Sequence, residues 1–221
     1  MALTNLLLNL IFPPRCPFCN SPVDRALSAP CPKCRQADFW LEEAQVVTPG
    51  TAFLRCVCAG WYRGALRESM RRFKFQGHPD YAKAYGPVLA RIIRDYLPGS
   101  YDLITWVPVS PATLKERGYD QARLLAEETA KALSTQAVSL LAKMGKNKAQ
   151  SSLAQGSQRW KNVAGVYSVP DPAAVAGQRI LLIDDILTTG ATLEEAARTL
   201  RRAGATQVVA AAFCRTPRKE I

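Results

Sequence analysis

The sequence predicts an α/β fold, a mainly parallel sheet with flanking helices, preceded by a small metal-binding unit. Three observations carry this. Short apolar runs with strand character alternate with segments of helical periodicity, as in strand–helix–strand units with right-handed crossovers. Of 221 residues, 48% are hydrophobic and 21% charged, which supports a sizeable core and excludes collagen, coiled coil and wholesale disorder. Four of the seven cysteines form two CxxC pairs near the N-terminus. The expected division is residues 1–48 as an N-terminal helix and four-cysteine unit, and residues 49–221 as the α/β domain. Pro49 and Gly50 mark the linker.

Taking the elements in order, Leu6, Leu7, Leu8, Leu10, Ile11 and Phe12 form an apolar run too short to cross a bilayer. It lacks a basic leader and a small-residue cleavage site, so a docked helix and a cytoplasmic chain are expected. Cys16, Cys19, Cys31 and Cys34 follow, with eleven residues between the pairs. Two such knuckles complete a tetrahedral shell of four sulfurs, which suits a structural Zn²⁺. Four-sulfur iron and metal-free or redox thiols are the competing readings. Cys56, Cys58 and Cys214 lie in apolar stretches and read as buried thiols.

A strand is expected at 53–61 and a helix from Tyr62 to Gly77, with Leu66, Met70 and Phe73 inward. Beside them run Arg63, Arg67, Arg71 and Lys74. A second helix covers 81–97, and 103–107 is a strand ended by Pro108. Ser110, Pro111, Lys115, Arg117 and Gly118 read as a loop, and Asp120 as the cap of a helix carrying Ala122, Leu125, Thr129 and Leu133. Residues 143–161 read as a long exposed loop. Strands at 165–169, 179–183 and 206–213 and a helix at 192–202 complete the chain.

The formal charge is +11, and nearly all of it sits in two places. Residues 51–78 hold six basic side chains against one acidic, and 136–170 hold five against none. Localised anionic ligands or a merely solvated surface both fit. The single histidine, His78, excludes any site built on several.

The most informative stretch runs from Ile180 to Thr192. A buried strand delivers Asp184 and Asp185 to its C-terminal end, where open α/β sheets bind ligands. Thr188, Thr189, Gly190, Ala191 and Thr192 then turn into a helix whose N–H groups and hydroxyls can surround a phosphate. The carboxylates suit sugar hydroxyls or Mg²⁺. A hydroxyl grip beside a phosphate grip describes a ribose 5-phosphate; a plain strand–turn–helix capped by the two aspartates is the alternative.

This stretch resembles the phosphoribosyl pyrophosphate (PRPP) signature of type I phosphoribosyltransferases. In order along nearly the whole chain, further motifs resemble one branch, the ComF family. They are the cysteine unit, Tyr62–Gly64 through Lys74-Phe75, Val107-Pro108-Val109, Arg117-Gly118-Tyr119-Asp120-Gln121, Lys148-Ala149-Gln150, Arg159, and Asn162-Val163. Two positions depart from the family pattern: Asp120 stands for Asn and Lys148 for Thr.

The resemblance implies a type I phosphoribosyltransferase-like domain binding PRPP with Mg²⁺. Val109, Ser110 and Gly118 would belong to the pyrophosphate loop. Lys115 and Arg117 would be catalytic by neutralising the leaving pyrophosphate in a displacement at the anomeric carbon. ComF proteins are associated with natural competence, which implies handling of single-stranded DNA and contact with other DNA-uptake proteins. Arg63, Arg67, Arg71 and Lys74, together with Lys143, Lys146, Lys148, Arg159, Trp160 and Lys161, would then meet phosphates and a base. A metabolic phosphoribosyltransferase of nucleotide salvage or synthesis, and a redox or scaffold protein built on the cysteines, are the competing functions.

Overall fold

The computed structural model describes residues 13–23, 29–144 and 165–217. The expected N-terminal helix lies outside them, as do Lys146, Lys148, Arg159, Trp160 and Lys161.

Among the described residues the first regular elements are short helices, α1 (Pro32–Arg35) and α2 (Glu43–Val46). Strand β1 (Val47–Pro49) follows, straddling the expected boundary between the two units, and pairs antiparallel with β2 (Arg55–Trp61). Helix α3 (Gly64–Phe75) and helix α4 (Ala82–Tyr96) lead to β3 (Leu103–Trp106). Helices α5 (Pro111–Arg117) and α6 (Gln121–Ala132) precede a two-stranded ribbon, β4 (Ala142–Lys143) with β5 (Tyr167–Ser168). Strand β6 (Arg179–Leu187), helix α7 (Ala191–Arg202) and strand β7 (Gln207–Arg215) close the chain.

The main sheet has five strands in the order β1-β2-β7-β6-β3, parallel except at the β1 edge. This is the mainly parallel α/β sheet that the sequence predicts. Central strands β6 and β7 are buried on both faces, which is why both read as continuous apolar runs. One face packs Leu181, Ile183, Val209, Ala211 and Phe213 against α3, α4 and α6. The other packs Ile180, Leu182, Val208 and Ala210 against α7.

Two expectations are corrected. The stretch read as a loop from Ser110 to Gly118 is mostly helix α5. Ser110 accepts a bond from the Thr113 N–H, Pro111 opens the first turn, and Gly118 ends it at φ 80°. This helix buries none of its residues, so it has no apolar stripe to betray it. Strand β6 also runs four residues past Ile183, carrying both aspartates within the ladder.

The cysteine segment is stitched to the sheet. Leu41 N–H donates to Ala59 and Trp61 N–H to Phe39, so residues 39–41 continue the edge beside β2. Gly60 permits this approach, because a Cβ there would stand 2.9 Å from the Phe39 carbonyl oxygen and 2.5 Å from Leu66 Cδ2. Phe18, fully buried between the first two cysteines, lies 5.4 Å from the Tyr85 ring and 6.3 Å from Phe213.

Candidate active site and metal centre

Three sequence-distant segments converge at the C-terminal edge of the sheet. Asp184 and Asp185 come from β6. Lys74, one residue from the end of α3, places its Nζ 2.8 Å from Asp185 Oδ1, with both side chains largely buried. Lys74 thus turns into the acidic pair, away from the exposed face of α3. The third segment is the turn 117–121. The Tyr119 hydroxyl donates to the Phe73 carbonyl and Gln121 Nε2 to the Lys74 carbonyl at 3.5 Å. Arg117 donates to Gln121 Oε1 at 3.0 Å and stacks over the Phe75 ring at 4.7 Å. The end of α3 and the Arg-Gly-Tyr-Asp-Gln turn are therefore one bonded unit.

Asp120, the departure from the family pattern, accepts from Arg123 N–H and from Val109 N–H, both at 3.1 Å. Both contacts need only an acceptor, which explains why a carboxylate serves here. Burial, opposed by those bonds and helped by the charge of Asp185, raises its pKa. Burial and the adjacent Asp185 charge push Asp184 up to about 7. A cluster of three carboxylates with one lysine can take up hydroxyl donors or a cation.

The bend after β6 leaves Thr188 and Thr189 exposed. Gly190, at φ 82°, precedes α7 without a capping side chain of its own, and the Ala191 N–H donates to Thr189 Oγ1 at 3.4 Å; a helix start of this kind can seat an anion. Ser110 and Gly118 serve as the two caps of α5, and the Val109 N–H is bonded to Asp120. Lys115 is exposed on α5. Arg63 donates to the Asp38 carbonyl at 2.7 Å and pairs with its carboxylate at 3.5 Å; Arg71 pairs loosely with Glu68 at 3.9 Å. Both arginines stay half-exposed, as does the face they share with Arg67.

Sequence reasoning missed two neighbours of the site. Tyr167 on β5 is buried, and burial together with the Asp184 charge raises its phenol. Glu195 of α7 accepts from the Gly165 N–H at 2.7 Å. These contacts set the β4–β5 ribbon beside Asp184. No local signal marks either residue, since both act through segments far away in sequence.

The four knuckle cysteines gather at one point, their sulfurs all within 4.8 Å of one another. Cys16 and Cys34 are 4.0 Å apart and Cys19 and Cys31 3.8 Å. Tetrahedral zinc with bonds of about 2.3 Å needs sulfurs about 3.8 Å apart, so the residues fit. The group could hold a metal ion. Burial raises Cys19, but Ser21 and the neighbouring thiols outweigh it and bring this thiol down to about 6, nearer the deprotonated state that metal binding requires. Cys56, Cys58 and Cys214 are fully buried elsewhere in the core. The Cys58 thiol and burial push Cys56 up, and burial pushes Cys214 up.

The chain is similar to several known proteins. The family described as Phosphoribosyl transferase domain matches residues 120–221. Competence protein ComFC of Bacillus subtilis (strain 168) is 26% identical over 86% of this chain and 72% of its own. DNA utilization protein YhgH of Escherichia coli (strain K12) is 26% identical over 91% and 84%. A solved glutamine phosphoribosylpyrophosphate (PRPP) amidotransferase from B. subtilis aligns with TM-score 0.43 and 22% identity over 64% of this chain and 30% of that one. The chain spans under a third of that enzyme's length. Among the described residues no helix is long and apolar enough to cross a membrane.

Proposed function

We propose that the chain is a member of the ComF family that binds PRPP or a related ribose 5-phosphate and handles single-stranded DNA in natural transformation. The observation that carries the sugar-phosphate half is the convergence of Lys74, Asp120, Asp184 and Asp185 beside the start of α7. The carboxylates take the ribose hydroxyls and would hold a Mg²⁺, which would supply positive charge against the pyrophosphate. Thr188, Thr189, Gly190, Ala191 and Thr192 take the 5-phosphate. Arg117 and Lys115 stand on the side where Val109, Ser110 and Gly118 would frame the pyrophosphate. Zn²⁺ fills the cysteine shell as a structural ion. The cytoplasm, which keeps thiols reduced, suits such a shell.

The names of the relatives support the DNA half, as do the basic segments. Arg63, Arg67 and Arg71 share the exposed face of α3. Lys146, Lys148, Arg159, Trp160 and Lys161 lie between β4 and β5 in the sequence. Other DNA-uptake proteins are the expected partners.

Titration calorimetry with PRPP and Mg²⁺ tests the sugar site. Asp184→Asn with Asp185→Asn should abolish binding while the circular dichroism spectrum stays unchanged; undiminished binding refutes the assignment. Binding of single-stranded DNA across a salt series tests the second half, and affinity that is absent at low salt or flat with salt refutes it. The intact Asp-Asp bend also favours a second reading, a metabolic phosphoribosyltransferase. Pyrophosphate release with a panel of bases, amines and orotate distinguishes the two.

A further inference from the structure

We propose that Phe75 is a base-stacking platform for single-stranded nucleic acid, served by an arginine row on the same helix; this rests on the DNA-handling reading above. Four large apolar side chains are exposed among the described residues, and Phe75 is both the most exposed, at 63%, and the only aromatic one. Arg67, Arg71 and Phe75 are spaced four apart, so they form one row with steps of about 6 Å along α3. Leu66, Met70 and Phe73 fill the core on the opposite side, which fixes the row toward solvent.

The ring is already half of a stack. The Arg117 guanidinium lies over it, 4.7 Å from its centroid. A guanidinium occupies one face of a benzene ring, and an exposed ring has a second face for another flat group. The neighbouring charge selects what that group is. Arg67 and Arg71 precede the ring by two turns and one turn, and the Glu68 partner of Arg71 is exposed and distant at 3.9 Å, too weak to neutralise it. A polyanion whose repeating phosphates follow the arginines and whose bases stack on aromatics answers both features. An apolar protein partner would leave the guanidinium groups buried and unpaired. Lys74, the preceding residue, turns the other way to Asp185. Platform and sugar site therefore share one helix end, and a strand on the row has its last base beside the acidic pair.

The experiment is fluorescence anisotropy with a labelled oligothymidylate and an abasic strand of equal length, over several salt concentrations. The unmodified protein should prefer the base-bearing strand by about tenfold, the scale of one base–aromatic stack. Phe75→Leu should lose most of that preference with an unchanged salt slope, and Phe75→Trp should restore it. Arg67→Gln with Arg71→Gln should weaken both strands and flatten the salt slope by about 1.4. Phe75→Leu that keeps the base preference overturns the platform and leaves the DNA reading standing. Failure of the unmodified protein to bind either strand at low salt removes both. Unaltered DNA binding with a lowered melting temperature in Phe75→Leu would mean that the ring is covered by the protein's own chain, which also overturns the proposal.

Discussion

Asp184 and Asp185 occupy consecutive positions of β6 and so point to opposite faces of the sheet. Asp185 faces α3 and meets Lys74 directly; Asp184 lies toward Tyr167 and feels the Lys74 charge more weakly than burial and the Asp185 charge. That asymmetry gives a pH signature. Asp184 titrates at about 7 in the folded protein against 3.8 ordinarily, because of burial and then the Asp185 charge. Between about pH 4 and pH 7 the folded state holds a proton that the unfolded chain has released, so stability falls as pH rises through that window. Asp184→Asn cannot ionise. Its melting temperature relative to the unmodified protein should therefore rise between about pH 5 and pH 8, by about 2–4 °C for each kcal/mol relieved. A flat difference across that range rejects the assignment. A cation-bearing ligand at the pair should also expel the proton near neutral pH, detectable as a buffer-dependent heat in calorimetry.

Lys74 is tested at the same scale. Lys74→Gln leaves Asp185 with no cation partner in a largely buried place and should cost about 1–3 kcal/mol, discounted from the fully buried case. Adding Asp185→Asn should recover most of that loss, since the cycle removes both halves of the pair. Additive losses in chemical denaturation would show that the pair is not coupled. The contact itself was not legible in the sequence. Lys74 falls in a run of basic residues and reads as one of them; the bonds from Tyr119 and Gln121 to the end of α3 aim it elsewhere.

Among the elements, α3 connects the two candidate centres. The Ser69 hydroxyl donates to the Pro17 carbonyl, and Arg72 Nη2 to Pro17 at 3.3 Å and Phe18 at 3.1 Å, so the first knuckle sits on its middle. Its last turn aims Lys74 into the acidic site, with Phe73 in the core and Phe75 exposed beside it. Cys16→Ser should therefore release metal and also weaken PRPP binding several-fold, read by metal content and calorimetry. Metal loss with undiminished PRPP affinity would show that α3 transmits nothing. Helices with a buried stripe, such as α3 and α4, were readable from periodicity, and so was the Ile180–Ile183 core of β6. Helix α5 was not, although Ser110, Pro111 and Gly118 are its caps, because a helix with no buried side has only its ends to announce it.

Over the whole molecule, the parallel sheet follows from the alternation of apolar runs, and the acidic bend lies where strand ends face outward. The chain order of the motifs said nothing of how firmly the cysteine segment joins the rest. Phe18, Cys16, Cys31 and Cys34 belong to the same hydrophobic cluster as Leu66, Tyr85 and Phe213. Removing the metal with a chelator should therefore lower one cooperative melting transition as a unit. Two separated transitions, the second unmoved, would instead mark residues 1–48 as an independent body.

The pairing of Lys74 with Asp185 bears on what the unliganded protein does in a cell rich in magnesium. An ammonium group already seated on the carboxylate makes the pocket a poor scavenger of loose divalent ions. On the reading proposed above, metal enters as the escort of a phosphorylated sugar that displaces the lysine, so it is the organic guest, and not the abundance of the ion, that decides when the pocket fills.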